Sequence, residues 1–257
     1  MSFDADLTAC AALVERGDPS RFRAAMAAPV AARRVLFPLY AFNVEVARAP
    51  WVTQETMIAE MRLQWWRDVC EEIAGGQAVR RHEVATPLAA VISTEDAKLL
   101  DELVAARRWD IYRDPFEDAA HFARYLDQTS GHLTWIAARR LGEADETVVR
   151  DAAYAAGVAA WLRAIPRLEA QGRVPLLDGT SQGVADLAGG ALERLQKARR
   201  GRGKISGPAR AALLHVGQAD AVLTAALHDP AAVAEGRLPD AVQSDRWLGW
   251  RVVSGRW

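Results

Sequence analysis

The sequence predicts an all-α fold, one large helical domain over residues 1–257, and three observations carry that expectation. Apolar residues recur at helical spacing: Val35, Leu39, Phe42 and Val46 share a stripe, as do Ile58, Met61, Trp65, Val69 and Ile73. Phe122, Leu126, Thr129, Leu133 and Ile136 make a third, and Leu213, Val216, Leu223 and Leu227 a fourth. Strand-like alternation bounded by turns is nearly absent. Breakers fall between the runs, at Asp18-Pro19-Ser20, Ala49-Pro50, Gly75-Gly76, Asp114-Pro115, Gly189-Gly190, Gly207-Pro208 and Asp229-Pro230.

In chain order, Asp18 is a natural N-cap because its carboxylate can accept from the free amides of the turn that follows. Thr53, Asp114 and Asp145 are candidates for the same role before the second, third and later runs. Eight to ten helices account for the pattern. No internal repeat and no long Ser/Gly/Pro linker divides the chain, and 201–207 reads as a short loop within the domain.

About half of the 257 residues are apolar and a quarter are charged, enough to bury a large core. A net charge of −1 gives no global attraction to nucleic acid, so an anionic partner needs a local basic patch. Cys10 and Cys70 are too few for a disulfide framework and fit a reducing compartment. The opening Met1-Ser2-Phe3-Asp4 lacks a basic region before an apolar run, and no run reaches eighteen apolar residues. The expectation is a soluble chain, or one attached to a membrane surface without crossing it. The five histidines show no zinc spacing, and neither a nucleophile elbow nor a phosphate-binding glycine loop is present.

Blocks spread along the chain carry a resemblance. Residues 18–26 read DPSRFRAAM, 33–43 RRVLFPLYAFN, 60–68 EMRLQWWRD, 108–115 RWDIYRDP, 125–131 YLDQTSG, and 163–177 RAIPRLEAQGRVPLL. In this order they resemble the squalene/phytoene synthase family. The resemblance implies a helical isoprenoid-synthase fold with a central cavity, in which two acidic motifs on facing helices hold magnesium against prenyl diphosphates. Carboxylates paired one helical turn apart supply the oxygen ligands that magnesium requires.

Both motifs depart from the family's wording. Where family enzymes read approximately LYAFCRxxDDxxD, residues 39–48 read LYAFNVEVAR, and the paired aspartates fall on Ala47 and Arg48. An arginine about 4 Å from a divalent ion opposes it by roughly 4 kcal/mol per pair of unit charges at intermediate dielectric. At the second motif, roughly NILRDxxEDxxRGRxYLP, the frame residues Leu162, Arg163, Gly172, Arg173 and Leu176 persist. The family asparagine falls on Ala160 and the aspartates on Ala164 and Leu168. Glu169, offset by one residue, is turned about 100° off that face. Pro166 should kink or end the helix there. The expectation is therefore no catalytic residues, no cofactor and no magnesium, with Glu45 or Asp110 as the acids that could rebuild a metal site.

The replacement wording, Asn43-x-Glu45, 60–67 and 162–166, resembles the non-catalytic branch of the family, whose eukaryotic members are mitochondrial complex I assembly factors. That resemblance implies a pseudoenzyme acting as a binding or assembly factor; the alternatives are an active prenyl-diphosphate transferase and a metal-free prenyl-diphosphate binder. Candidate ligand-binding residues are Arg48, Glu60, Gln64, Arg67, Arg163 and Arg173, the arginines because guanidinium grips phosphate without a metal. Glu60, Gln64, Arg67 and Glu71 equally make an ordinary salt-bridged helix face. The basic run 197–204 has no interleaved aromatics, which argues against nucleic acid and leaves a solvated loop or an anionic contact. The tail 246–257 mixes Trp247, Trp250 and Trp257 with arginine, suiting either a membrane interface or a cap on the core. If it mediates attachment, its deletion should release the protein without unfolding it. The partners expected are a membrane-associated protein, an anionic lipid surface or a prenyl diphosphate, and the place the cytoplasm, peripheral at the inner membrane.

Overall fold

A computed structural model describes residues 3–53, 55–240 and 245–257, with side chains from Asp4 onward and, in the last segment, from Trp247 onward. Helices α1 (Phe3–Gly17) and α2 (Pro19–Ala27) are joined at Asp18, whose Oδ1 accepts from the Arg21 amide at 3.0 Å while Pro19 fills the first turn. Helix α3 (Val30–Arg48) runs through the middle, with Leu36, Leu39, Tyr40 and Phe42 fully buried. It ends in a 3₁₀ turn at Ala49–Trp51 before α4 (Thr56–Ala74). The short α5 (Ala85–Ala89) leads to α6 (Thr94–Ala106), which is opened by a Ser93/Asp96 capping box. A 3₁₀ turn, Arg107–Asp110, follows it.

Helix α7 (Ala119–Leu126) passes through a π turn, Asp127–Gly131, into α8 (His132–Leu141). The long α9 (Glu146–Ala170) packs on α8, on α10 (Ser181–Arg200), and on the 3₁₀ stretch Ala209–Gln218. Helices α11 (Ala219–His228), α12 (Ala231–Ala234) and α13 (Asp245–Ser254) complete the chain. No strand occurs among the described residues; Ala144 and Ile205 form one isolated bridge. Most of the buried apolar residues make one contiguous cluster, from Cys10 to Trp257.

Several local expectations change. Thirteen α-helices occur among the described residues, against eight to ten expected, because short α5 and α12 lack the length for a sequence stripe. Helix α9 continues through Pro166 to Ala170, and Gly189 and Gly190 lie inside α10. Asp145 caps α9 as expected, its Oδ1 accepting from Val148 at 3.1 Å. Asp118, not Asp114, caps α7, and Glu55, not Thr53, precedes α4. The α4 stripe is the most informative correction. Its buried face is Ala59, Leu63, Trp66, Val69, Cys70 and Ile73, so Ile58 and Met61 stay exposed beside Met57.

The basic run 197–204 is largely helical and paired: Lys197 with Asp151 at 2.9 Å, Arg199 with Asp220 at 2.6 Å and Lys204 with Asp145 at 3.2 Å. The tail packs home. Leu248, Arg251 and Trp257 are buried and Arg251 lies over the Trp247 ring, leaving Trp250 and Val253 exposed. Deleting 245–257 would thus open the core, contrary to the expected clean release. The Arg246 side chain lies outside the described residues.

Candidate functional site

A cavity of about 210 Å³ lies between α3, the Arg107–Asp110 turn, the α7–π segment and α9. The π turn helps to shape it. Thr129 Oγ1 donates back to the Tyr125 carbonyl at 2.6 Å and Ser130 Oγ to the Ala153 carbonyl at 2.8 Å, so Tyr125, Leu126, Thr129 and Ser130 line one wall. Gly157 of α9 lets that wall approach: a Cβ there would sit 3.2 Å from the Ser130 Cβ and 3.3 Å from Leu126 Cδ2. An aromatic block closes one side, with Trp109 stacked on Phe116 at 4.1 Å and Trp161 edge-on to Tyr125 at 5.6 Å. Trp161 is fixed by its Nε1–H, which donates to the Pro175 carbonyl at 2.9 Å.

Ala47 from α3 meets Ala160, Ala164 and Leu168 from α9 on this one cavity. The three α9 positions are one helical turn apart, which is why they share a face. Asp110 is the one acid among the lining residues. It is buried, and the Tyr125 hydroxyl donates to its two oxygens at 2.9 and 3.1 Å while Arg107 Nη1 lies 3.0 Å away. Arg107 also donates to the Tyr125 oxygen at 2.7 Å, closing a triad. Burial opposes the Arg107 cation, but Tyr125 and Asp110 outweigh it and hold its pKa above the ordinary arginine value. Burial likewise pushes the Tyr125 hydroxyl up, so it remains a donor. Arg21 lines the cavity with its charge met by Asp18 at 2.6 Å. A divalent ion would find methyl groups at three of the four motif positions, an isobutyl group at the fourth, and one carboxylate already engaged.

Most of the polar candidates lie elsewhere. Arg48 is on the outer face of α3, 3.5 Å from Glu45 and half exposed, because one residue of offset turns it about 100° from Ala47. It therefore does not face the cavity as an opposing charge. Glu60 is held by Arg108 at 2.8 Å and by the Tyr112 hydroxyl at 3.0 Å. Gln64 donates to Asp68 at 2.8 Å, and Arg67 forks onto Asp101 at 2.7 and 2.9 Å, tying α4 to α6. Arg163 is exposed, and Glu169 is exposed too, turned off the cavity as its offset implied. The candidate arginines Arg48, Arg67 and Arg163 therefore do not gather at the cavity.

Arg173 alone of the ligand candidates lines a pocket described here, a second one of about 400 Å³ outside the first and sharing Trp51 with it. Sequence reasoning gave no role to Arg107, Tyr125 or Arg113. Arg113 and Tyr125 lie in blocks that carried the resemblance and Arg107 directly precedes one, but no spacing rule places Arg113 beside Arg173 or Arg107 beside Tyr125.

Comparison with known proteins agrees with this fold. The squalene/phytoene synthase model matches residues 14–176, more than half of the chain. A dehydrosqualene synthase crystallised with a ligand superposes with a TM-score of 0.76 at 15% identity, covering 98% of this chain and 97% of that one. Squalene synthase HpnC from Alicyclobacillus acidocaldarius superposes at 0.74 with 16% identity, covering 93% and 97%. Those likenesses show the fold. Among curated proteins, the Drosophila melanogaster homolog of NADH dehydrogenase (ubiquinone) complex I assembly factor 6 is 29% identical over 166 residues, 61% of this chain and 50% of its own. The human assembly factor 6 is 25% identical over 172 residues, covering 61% and 48%. The chain spans about half the length of the curated relatives it matches. By its matched sequence, its helical architecture and the convergence of both motif positions on one cavity, the chain belongs to the squalene/phytoene synthase family.

Proposed function

We propose that this chain is a non-catalytic member of its family, a binding or assembly factor of the respiratory complex I type that works at a membrane surface without magnesium. One observation carries the reading: Ala47, Ala160, Ala164 and Leu168 face a common cavity whose one acid, Asp110, is already neutralised by Arg107 and Tyr125. Magnesium needs several oxygen ligands in near-octahedral order, and this lining supplies none that is uncommitted and charged. With no metal to grip a leaving diphosphate, ionisation of a prenyl diphosphate loses the support that magnesium would supply. The printed names of the fly, bovine and human relatives support a protein partner among the components of complex I. The place proposed for it is peripheral, on the cytoplasmic side of the inner membrane; no helix among the described residues is long and apolar enough to cross a membrane.

The decisive experiment removes the chain from its host and measures assembled NADH dehydrogenase on native gels together with NADH:ubiquinone activity. Loss of both, restored by the wild-type chain, is expected; an undiminished complex sinks the reading. Calorimetric titration with farnesyl thiodiphosphate, with and without magnesium, tests the alternatives. Metal-dependent binding joined to turnover of farnesyl or geranylgeranyl diphosphate would return the chain to the transferases, and metal-independent binding would make it a prenyl-diphosphate carrier.

A further inference from the structure

The 400 Å³ outer pocket holds two arginines and no acid among its lining residues. Arg173 is buried, yet its partners are neutral: Nη1 donates to the Tyr112 carbonyl at 2.6 Å, Nη2 to the Asp110 carbonyl, and the guanidinium lies 4.7 Å from the Trp51 ring and 5.5 Å from Trp109. Its pKa is lowered, first by burial and least by the neighbouring cation of Arg113, against the opposing effects of Asp110 and Tyr125. Arg113 is exposed and has no acid partner among the described residues. Thr53, Thr56 and Gln171 add hydroxyl and amide groups to the lining. Two neighbouring cations without a carboxylate repel one another and lower their mutual energy by sharing an anion.

Exposed apolar side chains flank the lining residues, alongside the exposed acids Glu55, Asp114 and Glu169. Val52 sits between lining residues Trp51 and Thr53, Met57 and Ile58 between Thr56 and Ala59, and Tyr112 between Ile111 and Arg113. Val174 follows Arg173, and Met61 lies one helical turn beyond Met57. All six are exposed, Met57 at 75%, Met61 at 66% and Val174 at 58%. The nearby carboxylate of Glu60 is engaged by Arg108 and Tyr112, so it adds no free negative charge. A basic pocket with exposed apolar side chains on the segments that line it matches the layered chemistry of a bilayer surface, with phosphate at one depth and hydrocarbon just beneath.

We propose that the Arg113–Arg173 pocket and its flanking apolar side chains form a docking face for an anionic phospholipid bilayer, the two guanidiniums receiving a headgroup phosphate while Met57, Met61 and Val174 enter the acyl boundary. The proposal deepens the membrane-side reading above by naming the face that meets the membrane.

The test is co-sedimentation of the full chain with vesicles of phosphatidylcholine alone and of phosphatidylcholine mixed with phosphatidylglycerol. Binding to the mixed vesicles, weakened by salt, is expected. Arg113→Gln should lower the partition about fivefold, and the Met57→Ser/Met61→Ser pair by about tenfold or more. Trp250→Ala, on the tail, should leave it unchanged. All of these side chains are exposed or half-exposed, and matching helicity and unfolding midpoints would establish that the variants fold. Equal binding to both vesicle types, or unchanged binding by both variants, overturns the proposal. Titration with glycerol phosphate separates the sources: saturable binding that survives Met57→Ser/Met61→Ser, with no vesicle affinity, would assign the pocket to a free phosphate compound instead. Absence of vesicle binding with loss of complex rescue by Arg113→Gln would give the face to an acidic protein partner, overturning the bilayer while leaving the assembly reading intact.

Discussion

The inner cavity and the outer pocket share Trp51 as a wall and differ in how most of their charge is met. Inside, Arg21 faces Asp18 and Arg107 faces Asp110 at hydrogen-bond distance, while the exposed Arg167 lies 5.9 Å from the Trp51 ring. Outside, Arg173 rests on carbonyls and aromatic faces, and Arg113 has no acid among the described residues. A buried pair that satisfies itself fixes the wall of a cavity but has nothing left for a guest. Arg173 ties the 110–112 segment through its carbonyls but leaves its charge, like that of Arg113, without a carboxylate beside it and so open to an anion. The paired charges of Arg107 and Asp110 are spent on the inner wall, and the acid-free pair Arg113 and Arg173 lies outside it.

The sharpest way to break this contrast is Asp110→Ala. Removing one partner leaves the largely buried Arg107 without its counter-charge and the Tyr125 hydroxyl without its acceptor, and the expected loss is about 3–5 kcal/mol in urea unfolding. A loss below about 1 kcal/mol would mean that the triad is not what holds the inner wall. Next in size is the pair Ala47→Asp/Ala164→Asp, which returns acids to the two facing helices. Without metal it should cost about 1–3 kcal/mol, since polar groups would be placed in a partly dry site. Magnesium should recover that loss in the variant and leave the wild-type unfolding midpoint unmoved. A wild-type midpoint that rises with magnesium would overturn the account of the inner cavity.

Protonation offers a third probe of the inner region. His215, fully buried near Tyr40 and the Arg21/Asp18 pair, has its pKa lowered to about 3, first by burial and then by Arg21. The folded chain keeps it neutral, while the unfolded chain protonates it below the ordinary value of about 6.5. The unfolded state therefore binds the extra proton. Stability from this residue is complete above about pH 6.5 and falls by roughly 1.4 kcal/mol per pH unit as pH drops toward 3. Asp18, whose carboxyl Arg21 holds low against the opposing effect of burial, adds its own loss only at the acid end. The measurement is the slope of unfolding free energy between about pH 6 and pH 5, in wild type and in His215→Leu, where the variant should be flatter.

How much of this was legible in the sequence differs between the two regions. The helical class and the convergence of Ala47 with Ala160, Ala164 and Leu168 were readable, because a repeat of 3.6 residues and a family frame both act along the chain. The triad was not, since Arg107, Asp110 and Tyr125 meet only where a 3₁₀ turn faces α7. The outer pocket was hidden for the same reason: Arg113 and Arg173 are sixty residues apart, joined by folding alone. The α4 stripe misled in a useful way. Spacing assigned Ile58 and Met61 to the core along with Val69 and Ile73, but the small Ala59 and then Leu63 and Trp66 take the buried face. Periodicity says which residues share a side of a helix and not whether that side meets protein along its whole length.

The smallest expected effect is the one that separates the two regions most cleanly. Arg113→Gln removes an exposed cation with no acid partner, so unfolding free energy should move by no more than about 0.5 kcal/mol. The mutual repulsion with Arg173 is relieved in the same step, and any shift that does occur should be toward higher stability. Asp110→Ala changes stability strongly for the opposite reason, because its charge is already used by the fold. A large destabilisation by Arg113→Gln would show that this arginine, too, is spent on internal structure. The distinction between a committed interior and an uncommitted rim would then fail, and with it the reason for seeking the ligand outside the old active site.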